Sequence, residues 1–106
     1  VAELIEKTKM CIIKNLSNSE YTISDLAGDC NYSQKQLGRI LKSYTGLTLV
    51  QLMLEVKLQK AYELILNNKY PTLIEVVYGV GLNNRSYFNK KFKARFGIKP
   101  SDLQNK

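Results

Sequence analysis

One pattern of helix caps and apolar positions occurs twice along the chain, and a duplicated unit leaves few folds open. Thr22-Ile23-Ser24-Asp25-Leu26-Ala27 lies over Thr72-Leu73-Ile74-Glu75-Val76-Val77 at a spacing of 50 residues, and Asn31-Tyr32 lies over Gly81-Leu82 in the same register. After one inserted residue, Leu37, Leu41, Lys42 and Gly46 match Phe88, Phe92, Lys93 and Gly97 at a spacing of 51. Agreement at capping and core positions together marks two copies of one unit. A chain of 106 residues has room for one ordinary domain or for two very small ones sharing an element.

Within each copy the local signals describe a short helix, a tight turn and a longer helix, the helix-turn-helix pattern. In the first, Thr22 or Ser24 caps a helix running to about Cys30 and Asn31 takes the left-handed closing position. Ser33 then opens the next helix with Gln36 three residues on, a capping box. In the second, Gly81 supplies the left-handed residue and Asn84 the cap. Leu37, Ile40, Leu41 and Tyr44 share one face of the longer helix in the first copy, as Phe88, Phe92 and Phe96 do in the second. These aromatic residues read as core, not as platforms for stacking bases.

The face opposite that core points to the ligand. With Leu37 at the centre of the buried side, Lys35, Arg39 and Lys42 fall within roughly 40° of the opposite direction at about 100° per residue. The same geometry in the second copy exposes Ser86, Lys90 and Lys93, with Asn89 at the flank and Arg85 in the first turn. Such donors suit a major groove, where Arg reads guanine, Asn reads adenine, and Lys42 or Lys93 reaches phosphate. The charge balance agrees: 16 basic against 9 acidic side chains give +7, and a pI near 9.5 favours a polyanionic partner, either nucleic acid or an anionic membrane surface. Residues 1–53 carry six basic and five acidic side chains, net +1, whereas residues 54–106 carry ten and four, net +6. No acid lies between Glu75 and Asp102, a stretch that holds Arg85, Lys90, Lys91, Lys93, Arg95 and Lys99.

The same composition excludes other classes. Histidine is absent, which removes His-centred triads, His bases and His-containing metal sites. Cys11 and Cys30 form no CxxC and are expected to be two buried thiols, not a metal site or a disulfide scaffold. No window approaches the ~18 apolar residues of a membrane span, and no signal peptide opens the chain, so a cytoplasmic protein without cofactor or metal is expected. Asp25, Glu75 and Asp102 read as first-turn charges of helices, not as an acid-base set, and no enzyme is expected. A start at Val1 without Met suggests a fragment of a longer protein.

From Leu49 to Asn67 there is neither Gly nor Pro. Its apolar stripe begins with Leu49, Leu52, Met53 and Val56 and continues with Leu58, Ala61, Tyr62 and Ile65, turned roughly 170° from the first set. One helix is thereby expected to serve two cores. Its ~19 residues would span ~30 Å, close to the ~34 Å turn of duplex DNA; the other arrangement is one bundle around a curved, buried helix. An all-α fold of about seven helices follows, with a first subdomain at 1–48, a linker helix at 49–67 and a second subdomain at 68–106. Ahead of the first copy, Leu4, Ile5, Ile12 and Leu16 form a stripe expected to pack a first helix onto it.

The run Val80-Gly81-Leu82-Asn83-Asn84-Arg85-Ser86-Tyr87-Phe88-Asn89-Lys90-Lys91-Phe92-Lys93-Ala94-Arg95-Phe96-Gly97-Ile98-Lys99-Pro100-Ser101 resembles the signature of the AraC/XylS family of bacterial transcription regulators. The resemblance covers Tyr21 to Leu103, including Lys57-Leu58-Gln59-Lys60-Ala61-Tyr62-Glu63-Leu64-Ile65, which is similar to the family's linker helix. It implies a seven-helix, two-headed DNA-binding domain whose base-facing positions are Lys35, Gly38 and Arg39 in one head and Arg85, Ser86, Asn89 and Lys90 in the other. Ser33, Lys42 and Lys93 are the expected phosphate contacts. Gly38 offers no side chain there, Lys57 stands where the family has Arg, and Leu103 where it has an aromatic residue. The opening segment through Asn15-Leu16-Ser17-Asn18-Ser19-Glu20-Tyr21 is similar to the entry of such domains in hybrid two-component sensors.

The expected function is sequence-specific binding of double-stranded DNA as the output domain of a bacterial transcription activator. RNA polymerase would be a further partner, and any dimer would form through residues outside this chain. Two other readings fit the composition: a nonspecific or architectural DNA binder, and a helical module that docks on polymerase or a partner domain.

Overall fold

A computed structural model describes residues 1–105 as seven helices joined by turns. They are α1 (Ala2–Lys14), α2 (Ile23–Asp29), α3 (Gln34–Thr45), α4 (Leu49–Leu66), α5 (Leu73–Gly79), α6 (Arg85–Phe96) and α7 (Pro100–Gln104). They group into two compact units, one of Val1–Asn15 with Glu20–Val56, the other of Leu16–Ser19 with Lys57–Lys106. No helix among the described residues is long and apolar enough to cross a membrane.

In the first unit the caps set the start of each helix. The Thr22 hydroxyl accepts from the Asp25 N–H at 3.1 Å and the Asp25 carboxylate accepts from the Thr22 N–H at 2.9 Å, so Thr22, not Ser24, opens α2. That backbone donor holds the Asp25 carboxyl below its ordinary pKa. Asn31 closes α2 at φ 63°, and Ser33 and Gln36 form the reciprocal pair that opens α3. Ile12, Leu26, Cys30, Leu37, Leu41, Leu49, Leu52 and Val56 make the core, with Leu4, Ile5 and Met53 packed against it. Cys30 is buried there, but Cys11 is only half-buried, contrary to the expectation of two buried thiols, because it lies on the flank of α1 beside the fully buried Ile12.

Two further expectations need correction. Tyr44 is 62% exposed although it shares a wheel position with Leu37. The buried line of α3 follows four-residue steps, Leu37 to Leu41 to Thr45, and the half-buried Thr45 ties off the last turn by donating to the Leu41 carbonyl at 2.7 Å and accepting from the Leu47 N–H at 3.1 Å. Leu16 does not extend the apolar stripe of α1, which ends at Lys14; it belongs to the second unit.

The second unit repeats the plan with different side chains. The Thr72 N–H and hydroxyl donate to the Glu75 carboxylate at 3.2 and 3.0 Å, and the Asn84 Oδ1 accepts from the Tyr87 N–H at 2.9 Å. Gly81 makes the turn at φ 78°, and a Cβ there would overlap the Leu16 carbonyl oxygen. Phe88 and Phe92 are fully buried with Val76, Val77 and Val80, and Tyr62 of α4 lies 4.8 Å from Phe96, centroid to centroid. The apolar stripe of α4 divides as expected: Leu49, Leu52 and Val56 are buried within residues 1–56, Leu58, Ala61 and Ile65 within residues 57–106. The Lys57 side chain is also buried, its Nζ a long 3.5 Å from the Gly81 carbonyl, and burial pushes its pKa down.

Candidate nucleic-acid interface

Each unit carries a cleft beside its longer helix, and the two clefts are built from the same positions of the repeat. In the first, Lys35, Gly38, Arg39 and Lys42 of α3 face Thr48, Leu49 and Val50 at the start of α4 across about 510 Å³, with Gln34 and Ile23 completing the walls. In the second, Arg85, Asn89, Lys90 and Lys93 of α6 face Lys99, Pro100 and Ser101 at the start of α7 across about 680 Å³, with Leu73 at the side. Shifting by 51 residues carries Gln34 onto Arg85, Gly38 onto Asn89, Arg39 onto Lys90, Lys42 onto Lys93 and Thr48 onto Lys99.

Eight of the ten expected DNA-contacting residues therefore line the clefts, Lys35, Gly38, Arg39 and Lys42 in the first and Arg85, Asn89, Lys90 and Lys93 in the second. Ser86 and Ser33 do not. Lys35 lines the first cleft, but its counterpart Ser86 is exposed in the first turn of α6 without lining the second. Ser33 stands at the mouth of α3, its hydroxyl accepting from the Gln36 N–H at 3.1 Å. Gly38 is half-buried in the interior of α3, where glycine costs about 1 kcal/mol relative to alanine. Asn89 is half-buried too, and its Oδ1 is shielded from solvent with no hydrogen-bond partner among the described residues, a state worth about 1–3 kcal/mol of destabilisation.

Electrostatically the clefts differ. Both are free of acids along their walls, but the second has four cations, Arg85, Lys90, Lys93 and Lys99, where the first has three. Near the first unit's helices, Asp25 is engaged by the Thr22 N–H and Asp29 accepts from the Tyr21 hydroxyl at 2.6 Å, a bond that with burial raises the tyrosine pKa. Lys91 belongs to another face of α6, its Nζ 5.7 Å from the centroid of the Tyr87 ring.

Sequence reasoning missed the wall opposite the longer helices: Thr48 and Val50 in one unit, Lys99 and Ser101 in the other. The signal for it was present. The 51-residue spacing continues past Gly46 and Gly97, carrying Leu49 onto Pro100 and Leu52 onto Leu103, all four of them buried. The repeat is thus three helices long, and the first turns of α4 are the counterpart of α7.

Known proteins share this arrangement. A family model described as a helix-turn-helix domain matches residues 26–106. The transcriptional activator RhrA of Rhizobium meliloti is 35% identical over 97 residues, 91% of this chain and 31% of that protein. Histidine kinase P4 of Formosa agariphila is 26% identical over 104 residues, 98% of this chain but 8% of the kinase. Among solved structures, the C-terminal domain of AraT, a response regulator from Geobacillus stearothermophilus, superposes with a TM-score of 0.82 at 26% identity, covering 96% of this chain and 84% of that one. The chain thus spans under a third of the length of these two curated relatives. With the duplicated three-helix units, the capped turns and the paired cationic clefts already in place, the chain belongs to the AraC/XylS family of helix-turn-helix transcription regulators.

Proposed function

We propose that this domain binds duplex DNA sequence-specifically as the output module of a larger transcription activator, each unit placing its longer helix in its own major-groove segment of one site. The observation that carries the reading is the pair of repeat-equivalent clefts, each walled by cations and free of acids. Arg39, Lys35, Arg85, Ser86, Asn89 and Lys90 take the base edges, with Gly38 admitting a base edge to the helix backbone; Ser33, Lys42 and Lys93 take phosphates. Lys99 joins the phosphate contacts, since it sits on the wall facing Lys90 and Lys93. The work is binding and not catalysis, and it takes place where the chromosome is, in the bacterial cytoplasm.

Likeness to a histidine kinase and to a response regulator's C-terminal domain supports an output role under a separate sensory portion, in the manner of a two-component system. RNA polymerase is the further partner an activator needs, and dimerisation belongs to residues outside this chain.

Selection of bound duplexes from a random pool tests the reading directly. A recovered consensus, with footprints showing two protected patches and loss of joint protection when ~5 bp are inserted between them, supports it. Equal affinity for selected and random duplexes would assign the domain to nonspecific binding instead. A protein-docking module would bind neither duplex with salt-dependent affinity.

A further inference from the structure

The turn that leads into α6 is held from two sides by chain that is not part of it. Gly81, one residue past the Val80 cap of α5, turns at φ 78° with the Leu16 carbonyl lying where a Cβ would go. From α4 the Lys57 Nζ reaches the Gly81 carbonyl at 3.5 Å, a long contact, but one that sets a cation at the C-terminal end of α5, where the last carbonyls favour positive charge. Lys57 is only 9% exposed, and burying an ammonium costs free energy that an apolar side chain at this place would avoid. A buried charge of this kind is a weak source of stability; what it supplies is one fixed place for the carbonyl. By contrast Lys7, 50 residues before Lys57 on α1, is exposed.

We infer that Lys57 is a positioning residue for DNA recognition by the second unit: by pinning the Gly81 carbonyl it fixes the angle at which α6 leaves the turn. This rests on the DNA reading above and adds a residue that touches no DNA and acts through the backbone. Only Leu82 and Asn83 lie between Gly81 and the cap Asn84, whose Oδ1 accepts from the Tyr87 N–H, so a shift at Gly81 is carried into the first turn of α6. The turn itself closes with the Gly81 and Leu82 N–H groups donating to the Tyr78 and Val77 carbonyls, both at 3.0 Å. The first unit makes the same two bonds from Asn31 and Tyr32 to Gly28 and Ala27, again at 3.0 Å, and so carries its own control.

The test compares the 106-residue chain with Lys57→Met, which keeps the apolar stem without the donor, and Lys57→Arg, which keeps a cation of similar reach. Without DNA, amide hydrogen exchange at Gly81 and Leu82 should quicken about tenfold in Lys57→Met, while Asn31 and Tyr32 stay unchanged. On the duplex that the unaltered chain selects from a random pool, Lys57→Met should bind about tenfold more weakly. Its base preference should flatten only in the patch that Lys90→Ala also flattens, leaving intact the patch that answers to Arg39→Ala. Lys57→Arg should restore exchange and preference alike. A lysine that merely supports the fold would lower the melting temperature and weaken both patches together, a result that overturns the inference. So does unchanged exchange at Gly81 in Lys57→Met, or failure of Lys57→Arg to rescue. If Lys57→Met does not fold, Lys57→Gln, one bond too short to span the gap, takes its place in every measurement. If the unaltered chain selects no sequence at all, the DNA reading fails and the inference with it, and exchange at Gly81 tells that failure apart from a turn that Lys57 does not hold.

Discussion

The first unit turns from α2 to α3 on Asn31 at φ 63°, and the second turns from α5 to α6 on Gly81 at φ 78°. The backbone asks the same of both residues, but their surroundings do not. Asparagine tolerates the left-handed region because its short polar side chain bonds locally. Gly81 has in addition the Leu16 carbonyl where a Cβ would go, so only glycine fits. The cores diverge in the same way, Leu37 and Leu41 on one side, Phe88 and Phe92 on the other, with Tyr62 added to the aromatic cluster. Caps and turns persist between copies because local geometry fixes them, while core and surface residues change with whatever each copy packs against.

The comparison breaks most visibly at the turns. Gly81→Ala should cost about 3 kcal/mol, from left-handed strain plus overlap with a backbone oxygen that cannot step aside, whereas Asn31→Gly should stay within about 1 kcal/mol. Thermal melting followed by circular dichroism reads both; equal losses would mean that Leu16 yields easily and the two turns are interchangeable.

Recognition should divide within one helix. Arg39→Ala is expected to cost about 1–3 kcal/mol of affinity and relax preference at one base position, while Lys42→Ala weakens all sequences alike. Identical base-preference profiles for the two variants would show the division to be wrong.

Salt dependence sharpens the contrast between clefts. Neutralising Lys90 and Lys93 together should flatten log affinity against log salt by about two units, and neutralising Lys35 and Lys42 by less. Lys99→Gln should remove about 0.9 of a unit, and Lys91→Gln, away from the cleft over the Tyr87 ring, almost none. Titrations at several salt concentrations measure all four, and an equal change from Lys91→Gln would erase the cleft as the relevant unit.

The smallest effect concerns Lys57, which has no counterpart of its kind in the first unit. Burial lowers its folded pKa below the unfolded value of 10.5, so between those values the unfolded chain binds more protons and stability rises with pH. Lys57→Met should abolish this rise, a difference under about 1 kcal/mol in denaturant titrations between pH 8 and 10.5. A parallel pH profile for the variant would show that the ammonium is well hydrated in the fold.

Much of this was legible in the amino-acid sequence because the informative residues act locally. Thr22, Ser33, Asn84 and Pro100 bond or constrain their own neighbours, and each marks a helix start in the structure. The alternation of stripes along α4 was equally plain, since burial on two sides leaves a record in periodicity. Tyr44 misled because a helical wheel has no ends, and the last turn of α3 exposes a position that the wheel places inside. Lys57 was hidden for a related reason: a lysine in a helix reads as solvated until the tertiary structure shows what covers it. The cationic faces could be read one helix at a time, but the opposing walls at Thr48 and Lys99 needed the third helix of each unit.

The membership of Leu16–Ser19 bears on how this duplicated protein can be taken apart. Those four residues belong to the second unit, although the chain on either side of them belongs to the first. No single cut separates the copies: a piece starting at Lys57 lacks the strand of backbone that lies over Gly81, and a piece ending at Val56 carries that strand with nothing to cover. The copies are duplicates by pattern but laced together by connectivity, so neither should behave as a freestanding part if the gene is split within α4.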